Sequence, residues 1–192
     1  MKIELSSSAE DFCVGYNSNV NNGESHFHGT IDEILMYNRE LNPLELEYVS
    51  RSNNSDLFLN NLVAGRWSFN EFTMLVDNFL DTSGKRNTAN VTNGSVIRGS
   101  TPSHGNHSVV FDGETTISAN NPSLNSAYMS VGTWIKPSAY GTTFIKKEGV
   151  FEVGITSDGY PQMNIGSASS EYNYNLATTP TIVPAAHFAF EN

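Results

Sequence analysis

Three groups of residues in this chain have the types and spacing to do chemistry. The first is Asp81-Thr82-Ser83-Gly84 running on to Asn87, a turn rich in oxygen ligands. A hard cation such as calcium takes carboxylate and carbonyl oxygens from turns of this kind. In the competing reading, Asp81 makes an Asx-turn and bonds its own backbone two residues on. The second group is Glu171-Tyr172-Asn173-Tyr174-Asn175, where strand alternation puts Tyr172 and Tyr174 on one side with Asn173 between. Tyrosines flanked by amides form a platform for a sugar ring, which has one apolar face and many hydroxyls. They equally make a half-buried strand or a protein contact. Tyr128, Tyr140 and Tyr160 are further candidates for exposed aromatic groups. The third group is His26 and His28, which share a strand face but lack an evident third metal ligand. Surface histidines are the preferred reading for that pair.

Catalytic groupings are sparse. Asp32 and Glu33 are adjacent, so on a regular strand they point to opposite faces. Glycoside hydrolysis needs two carboxyl groups at a defined separation across a bond, and the chain has no such cluster. Glu45 and Glu47 fall in a helical segment, where solvent-facing and capping roles are commonest. No nucleophile elbow, phosphate loop or zinc spacing is present. The sequence therefore points to a noncatalytic protein.

The bulk properties narrow the partners. A formal charge of -10 over 192 residues argues against a nucleic-acid ligand. Only 16% of residues are charged, while 11% are aromatic, so a packed core beneath a polar, weakly charged surface is expected rather than disorder. The single cysteine, Cys13, excludes an internal disulfide and is expected to be a small buried residue between Phe12 and Val14. No apolar run approaches the ~20 residues that cross a bilayer, so membrane insertion is not expected. The opening MKIELSSSAE lacks the apolar core of a signal peptide. Export by another route or assembly inside a cell, as in phage, would both fit.

The elements that must position these residues are mostly strands. Gly29–Tyr37 alternates Ile31, Glu33, Leu35 and Tyr37 against Asp32, Ile34 and Met36. A short helix over 42–50 follows, with Asn42 as N-cap, Pro43 at the first helical position and Glu45 closing a capping box. Leu41 and Leu46 stand at the staple positions. Phe12–Tyr16 is a second strand. In the run from Val63 to Phe69, Val63, Gly65, Trp67 and Phe69 share one face, with Ala64, Arg66 and Ser68 on the other. Strands are also expected over Met129–Pro137, Phe144–Lys147, Val150–Ile155 and Met163–Gly166. Turns fall at Asp112-Gly113 and Ser157-Asp158-Gly159.

Gly29-Thr30-Ile31-Asp32-Glu33-Ile34 followed by Tyr37-Asn38-Arg39-Glu40-Leu41 and a helix resembles the closing strand of laminin-G-like (concanavalin A-like) jelly-roll domains. Leu62-Val63-Ala64-Gly65-Arg66-Trp67-Ser68-Phe69-Asn70-Glu71 is similar to that family's opening strand. Ser108–Ile117 resembles one of its later strands with the turn that follows, and Met129–Pro137 and Ala186–Phe190 resemble other later strands. The resemblance implies an all-β fold, a two-sheet antiparallel sandwich with one short helix near 42–50. It also implies a calcium near the Asp81 turn, with Asn87 and, if first and last strands meet, Asp32 as further ligands.

The order is wrapped. The closing part stands at 1–52, a linker at 53–61 and the opening and central part at 62–192. Three arrangements stay open, in this order of preference: a piece of a tandem array, completion of a neighbouring subunit by strand donation, and closure of the chain on itself. The expected function is a structural or adhesion module that assembles with other copies or with neighbouring proteins on a virion or cell surface. A carbohydrate-binding lectin domain, free or attached to a larger secreted enzyme, is the alternative.

Overall fold

A computed structural model describes residues 9–15, 26–51, 63–70, 77–100, 102, 105–120, 124, 128–165 and 171–172. The first strands are β1 (Phe12–Val14) and β2 (His28–Tyr37), followed by helix α1 (Pro43–Arg51) and β3 (Val63–Trp67). Short strands β4 (Asn78–Phe79), β5 (Ala89–Asn93) and β6 (Ile97–Gly99) lead to β7 (Ser108–Asp112) and β8 (Thr116–Ala119). Then come β9 (Ser130–Pro137), β10 (Thr142–Lys147), β11 (Phe151–Ile155), β12 (Pro161–Ile165) and β13 (Glu171–Tyr172). The expected strands at Lys2–Leu5 and Ala186–Phe190 lie outside the described residues.

The strands form two antiparallel sheets, an all-β sandwich with one short helix. The larger sheet runs β13-β12-β11-β10-β1-β8-β5-β4. In the smaller, β2 is central: β9 pairs along one side, while β3 and β7 share the other and β6 extends β7. Within this chain the 1–52 segment thus supplies an interior strand to each sheet. β1 lies between β10 and β8, pairing Phe12 with Lys147 and with Ala119. Gly15 ends β1 at φ +81°, where an added Cβ would stand 2.4 Å from the Phe111 ring, so close approach and backbone angle both require glycine.

The main core fills the space between the sheets. Phe12, Phe27, Ile31, Ile34, Trp67, Phe111, Phe144 and Phe151 are fully buried in it. Trp67 stacks on Phe12 with centroids 5.2 Å apart and planes 12° from parallel. A second, smaller cluster lies on the outer face of the smaller sheet. Leu35, Tyr37, Val63 and Trp134 meet Leu41 and Val49, with Leu46 packed alongside. Helix α1 lies over these residues, so both faces of that half of the sheet are apolar.

The capping box forms as its residue types require. Asn42 Oδ1 accepts from the backbone N–H groups of Leu44 and Glu45, and Glu45 Oε2 accepts from that of Asn42. Arg39 adds two hydrogen bonds to Glu45 at 2.7 and 2.8 Å. That guanidinium, helped by the Asn42 N–H, lowers the Glu45 pKa despite partial desolvation.

Two bulges overturn part of the alternation read from sequence. On β2, Asp32 pairs with Trp134 but Ile34 pairs with Thr133, leaving Glu33 as the extra residue at φ +47°. Ile31 faces the main core as expected, but beyond Glu33 the faces exchange. Ile34 and Met36 turn inward, while Leu35 and Tyr37 join the cluster under α1. On β3 the pairing of Met36 with Gly65 and Tyr37 with Val63 leaves Ala64 as the extra residue. Val63 therefore leaves the face of Trp67, and Ala64 enters the main core. Cys13 is a further correction. It is half-buried between two core residues, at a register position facing away from the sandwich interior, and burial pushes its thiol pKa up to about 11.

Candidate functional site

The turn after β4 folds around Asp81. Its Oδ1 accepts from the backbone N–H groups of Arg66 (2.9 Å) and Ser83 (2.8 Å). Its Oδ2 accepts from the backbone N–H and side-chain amide of Asn87, each at 2.9 Å. Asn87 then donates to Ala64 O at 2.7 Å, and its own carbonyl accepts from the Trp67 indole at 2.9 Å. Thr82 N–H donates to Arg66 O at 2.8 Å. Asp81 and Asn87 are thus brought together, as the sequence implied, and they tie β3 of one sheet to the β4–β5 connection of the other.

This arrangement does not fit a cation at Asp81. A carboxylate has about four lone-pair sites, and four N–H groups already point at them. An ion there would face the positive ends of those dipoles. Asp32 is buried on β2 opposite Trp134, and its backbone carbonyl accepts from Thr133 Oγ1 at 3.2 Å. Among the described residues, no group of three His, Cys, Asp or Glu side chains is placed to hold a metal. His28 opens β2 and is exposed, while Phe27 between the two histidines is buried in the core.

The second predicted site lies at the end of the larger sheet. Tyr172 pairs with Met163 across β13 and β12, and Met163 is a core residue. Asn173 and Tyr174 lie outside the described residues.

Sequence reasoning missed a polar row that crosses the outer face of the larger sheet. The ladder aligns Asn90, Ser118, Cys13, Lys146, Glu152 and Asn164 on successive strands. Lys146 is buried and pairs with Glu152 at 2.7 Å and Glu148 at 2.8 Å. Desolvation opposes its charge, but the two carboxylates outweigh it and raise the Lys146 pKa. The signal was present, because a lysine and a glutamate on either side of the Gly149 turn meet as a cross-strand pair. On the smaller sheet Arg66 reaches Glu33 at 3.2 and 3.4 Å, an ion pair created by the bulge.

Lys147 is the least compensated of these charges. It is buried on the core-facing side between Phe12 and Phe151, with its Nζ donating to Glu10 O at 2.7 Å. Burial lowers its pKa from 10.5, against the opposing pull of Asp11, Cys13 and Glu10. A lowered lysine pKa means that charging the amine disfavours the folded state. The penalty is full below the folded pKa and vanishes above the unfolded value of 10.5. Lys147→Met is therefore expected to stabilise the protein by roughly 1 kcal/mol at neutral pH. Urea unfolding at neutral pH and above pH 10.5 checks this, since the advantage should shrink as the amine loses its proton.

No protein-family model, curated protein or solved structure matches the chain. The two-sheet antiparallel sandwich is consistent with a jelly-roll type. Among the described residues, no helix is long and apolar enough to cross a membrane.

Proposed function

We propose that this protein is a noncatalytic structural or adhesion module of laminin-G-like type, working on a virion or cell surface in assembly with other copies or neighbouring proteins. The observation that carries this reading is the placement of β1 and β2. Both come from the first 52 residues, yet each sits inside a sheet, bonded on both sides to strands from the later segment. The same pairing surfaces accept an identical unit from a neighbouring copy, so exchange of this segment would link subunits without new contacts. The low surface charge and the absence of an evident paired-carboxylate motif in the sequence add support.

Light scattering over a dilution series tests the proposal. Oligomers or filaments that dissociate on dilution are expected. A compact monomer of 21.0 kDa at every concentration would overturn assembly by exchange between copies. A second reading, glycan binding, is favoured by two exposed tyrosines on neighbouring connections, Tyr140 after β9 at 54% and Tyr160 before β12 at 39% exposure.

A further inference from the structure

We infer that the β9–β10 loop, which crosses from the smaller sheet to the larger, and the adjoining tip of the β11–β12 hairpin form a carbohydrate-binding site, in which Tyr140 and Tyr160 supply stacking surfaces and Asp158 accepts sugar hydroxyls. This rests on the glycan-binding reading and gives it a location different from the Tyr172 platform expected from sequence.

The tips are held together by the backbone. Gly141 N–H donates to Thr156 O at 3.1 Å, joining the β9–β10 loop to the hairpin. Within the second tip, Gly159 N–H donates to Thr156 O at 2.9 Å and Thr156 N–H to Tyr160 O at 2.8 Å. Thr156 Oγ1 accepts from Tyr160 N–H at 3.0 Å. At the base of the first tip, Ser138 N–H donates to His28 O at 2.9 Å. Aromatic rings mounted on such a frame lose little freedom when a ligand arrives.

Gly159 is what seats the first ring. Its φ is +87°, and a Cβ there would stand 3.3 to 3.6 Å from three carbons of the Tyr140 ring. With no side chain at that position, Tyr140 lies against the neighbouring tip and still leaves half its surface in water. Around it Ser157, Asp158 and Tyr160 are exposed. Among the described residues, the two phenol hydroxyls and the Asp158 carboxylate form no hydrogen bond or ion pair, and no lysine or arginine occurs in 138–141 or 156–160.

The chemistry selects a neutral sugar. A pyranose offers its C–H face to an aromatic ring and its hydroxyls to a carboxylate, and it needs little more than one ring of contact area. An anionic ligand would meet Asp158 without a compensating cation. A stable protein partner needs about 800 Å² on each side with a buried apolar centre. The only exposed large hydrophobic side chains in 138–141 and 156–160 are the two tyrosines.

Affinity electrophoresis of the full chain in gels containing laminarin, mannan, xylan or galactomannan tests the site. The wild-type chain should be retarded in at least one gel. Tyr140→Ala and Tyr160→Ala should each weaken that retardation by about tenfold, the scale of one lost aromatic contact. Tyr140→Phe should retain it, and Tyr48→Ala, which removes an exposed tyrosine from α1, should leave it unchanged. Retardation that survives in both Tyr140→Ala and Tyr160→Ala overturns the site while sparing glycan binding. No retardation of wild type in any gel overturns both.

Discussion

Replacing Asp81 with alanine is expected to lower the stability of this protein by about 3 kcal/mol, with little change in the urea dependence of unfolding. The reason is the asymmetry between making and losing a hydrogen bond. Four N–H groups converge on this carboxylate, two from Asn87 and one each from Arg66 and Ser83. Alanine leaves all four to find water at a partly buried site, and bonds to an ionised acceptor are worth more than neutral ones. Asp81→Asn should cost about half as much, since one amide oxygen can still accept while its NH2 confronts former donors. The melting temperature of the wild-type chain is expected to be the same in calcium and in chelator. A ligand that binds only the folded state must raise it, so a shift with calcium would return the Asp81 turn to consideration as a metal site.

Trp67→Ala should be the more damaging change, costing on the order of 4 kcal/mol. The indole is fully buried, stacked on Phe12 from the larger sheet, and it donates to the Asn87 carbonyl. Truncation removes the contact that joins β3 to β1 across the core and leaves a cavity beside both. Trp67→Phe separates these roles. It preserves an aromatic ring against Phe12 but orphans the Asn87 carbonyl, for a cost of about 1–2 kcal/mol. Because Asp81 and Trp67 both act on Asn87, the double variant Trp67→Phe, Asp81→Ala should lose less than the sum of the two, by about 1 kcal/mol. Additive losses in urea unfolding would mean that the two residues stabilise the sandwich independently.

Much of this was written in local pattern. The capping box at Asn42 and Glu45, the turns at Asp112 and Asp158, and the pairing of β11 with β12 depend on neighbours in sequence and formed where residue types placed them. The bulges were not legible. A period of two continues through Glu33 in the sequence, but the strand inserts one residue there, and Arg66 from a distant strand provides the partner that accommodates its carboxylate. Trp134 shows the same gap. It lies in the expected strand Met129–Pro137, but it packs beneath α1 rather than between the sheets, because which face a helix covers is decided by tertiary packing. Tyr172 and Asn173 drew attention as alternating aromatic and amide residues. The tip residues Tyr140 and Tyr160 are twenty positions apart, and the pairing of β10 with β11, continued by the backbone bond from Gly141 to Thr156, makes them neighbours.

The insertion of β1 between β10 and β8 also sets an order of events during synthesis. The Lys147 amine meets a carbonyl 137 positions earlier in the chain, at Glu10, and the partners of β1 are translated long after β1 itself. β1 therefore leaves a ribosome well before the strands it pairs with, and folding dominated by such distant contacts is slow. Through that interval Phe12, Val14 and the apolar face of β2 stay uncovered, exposed to other nascent chains at high local concentration. Under the proposed exchange, timing would decide whether a subunit closes on its own strands or on a neighbour's, and slowing translation beyond β2 should shift the balance between monomer and assembly.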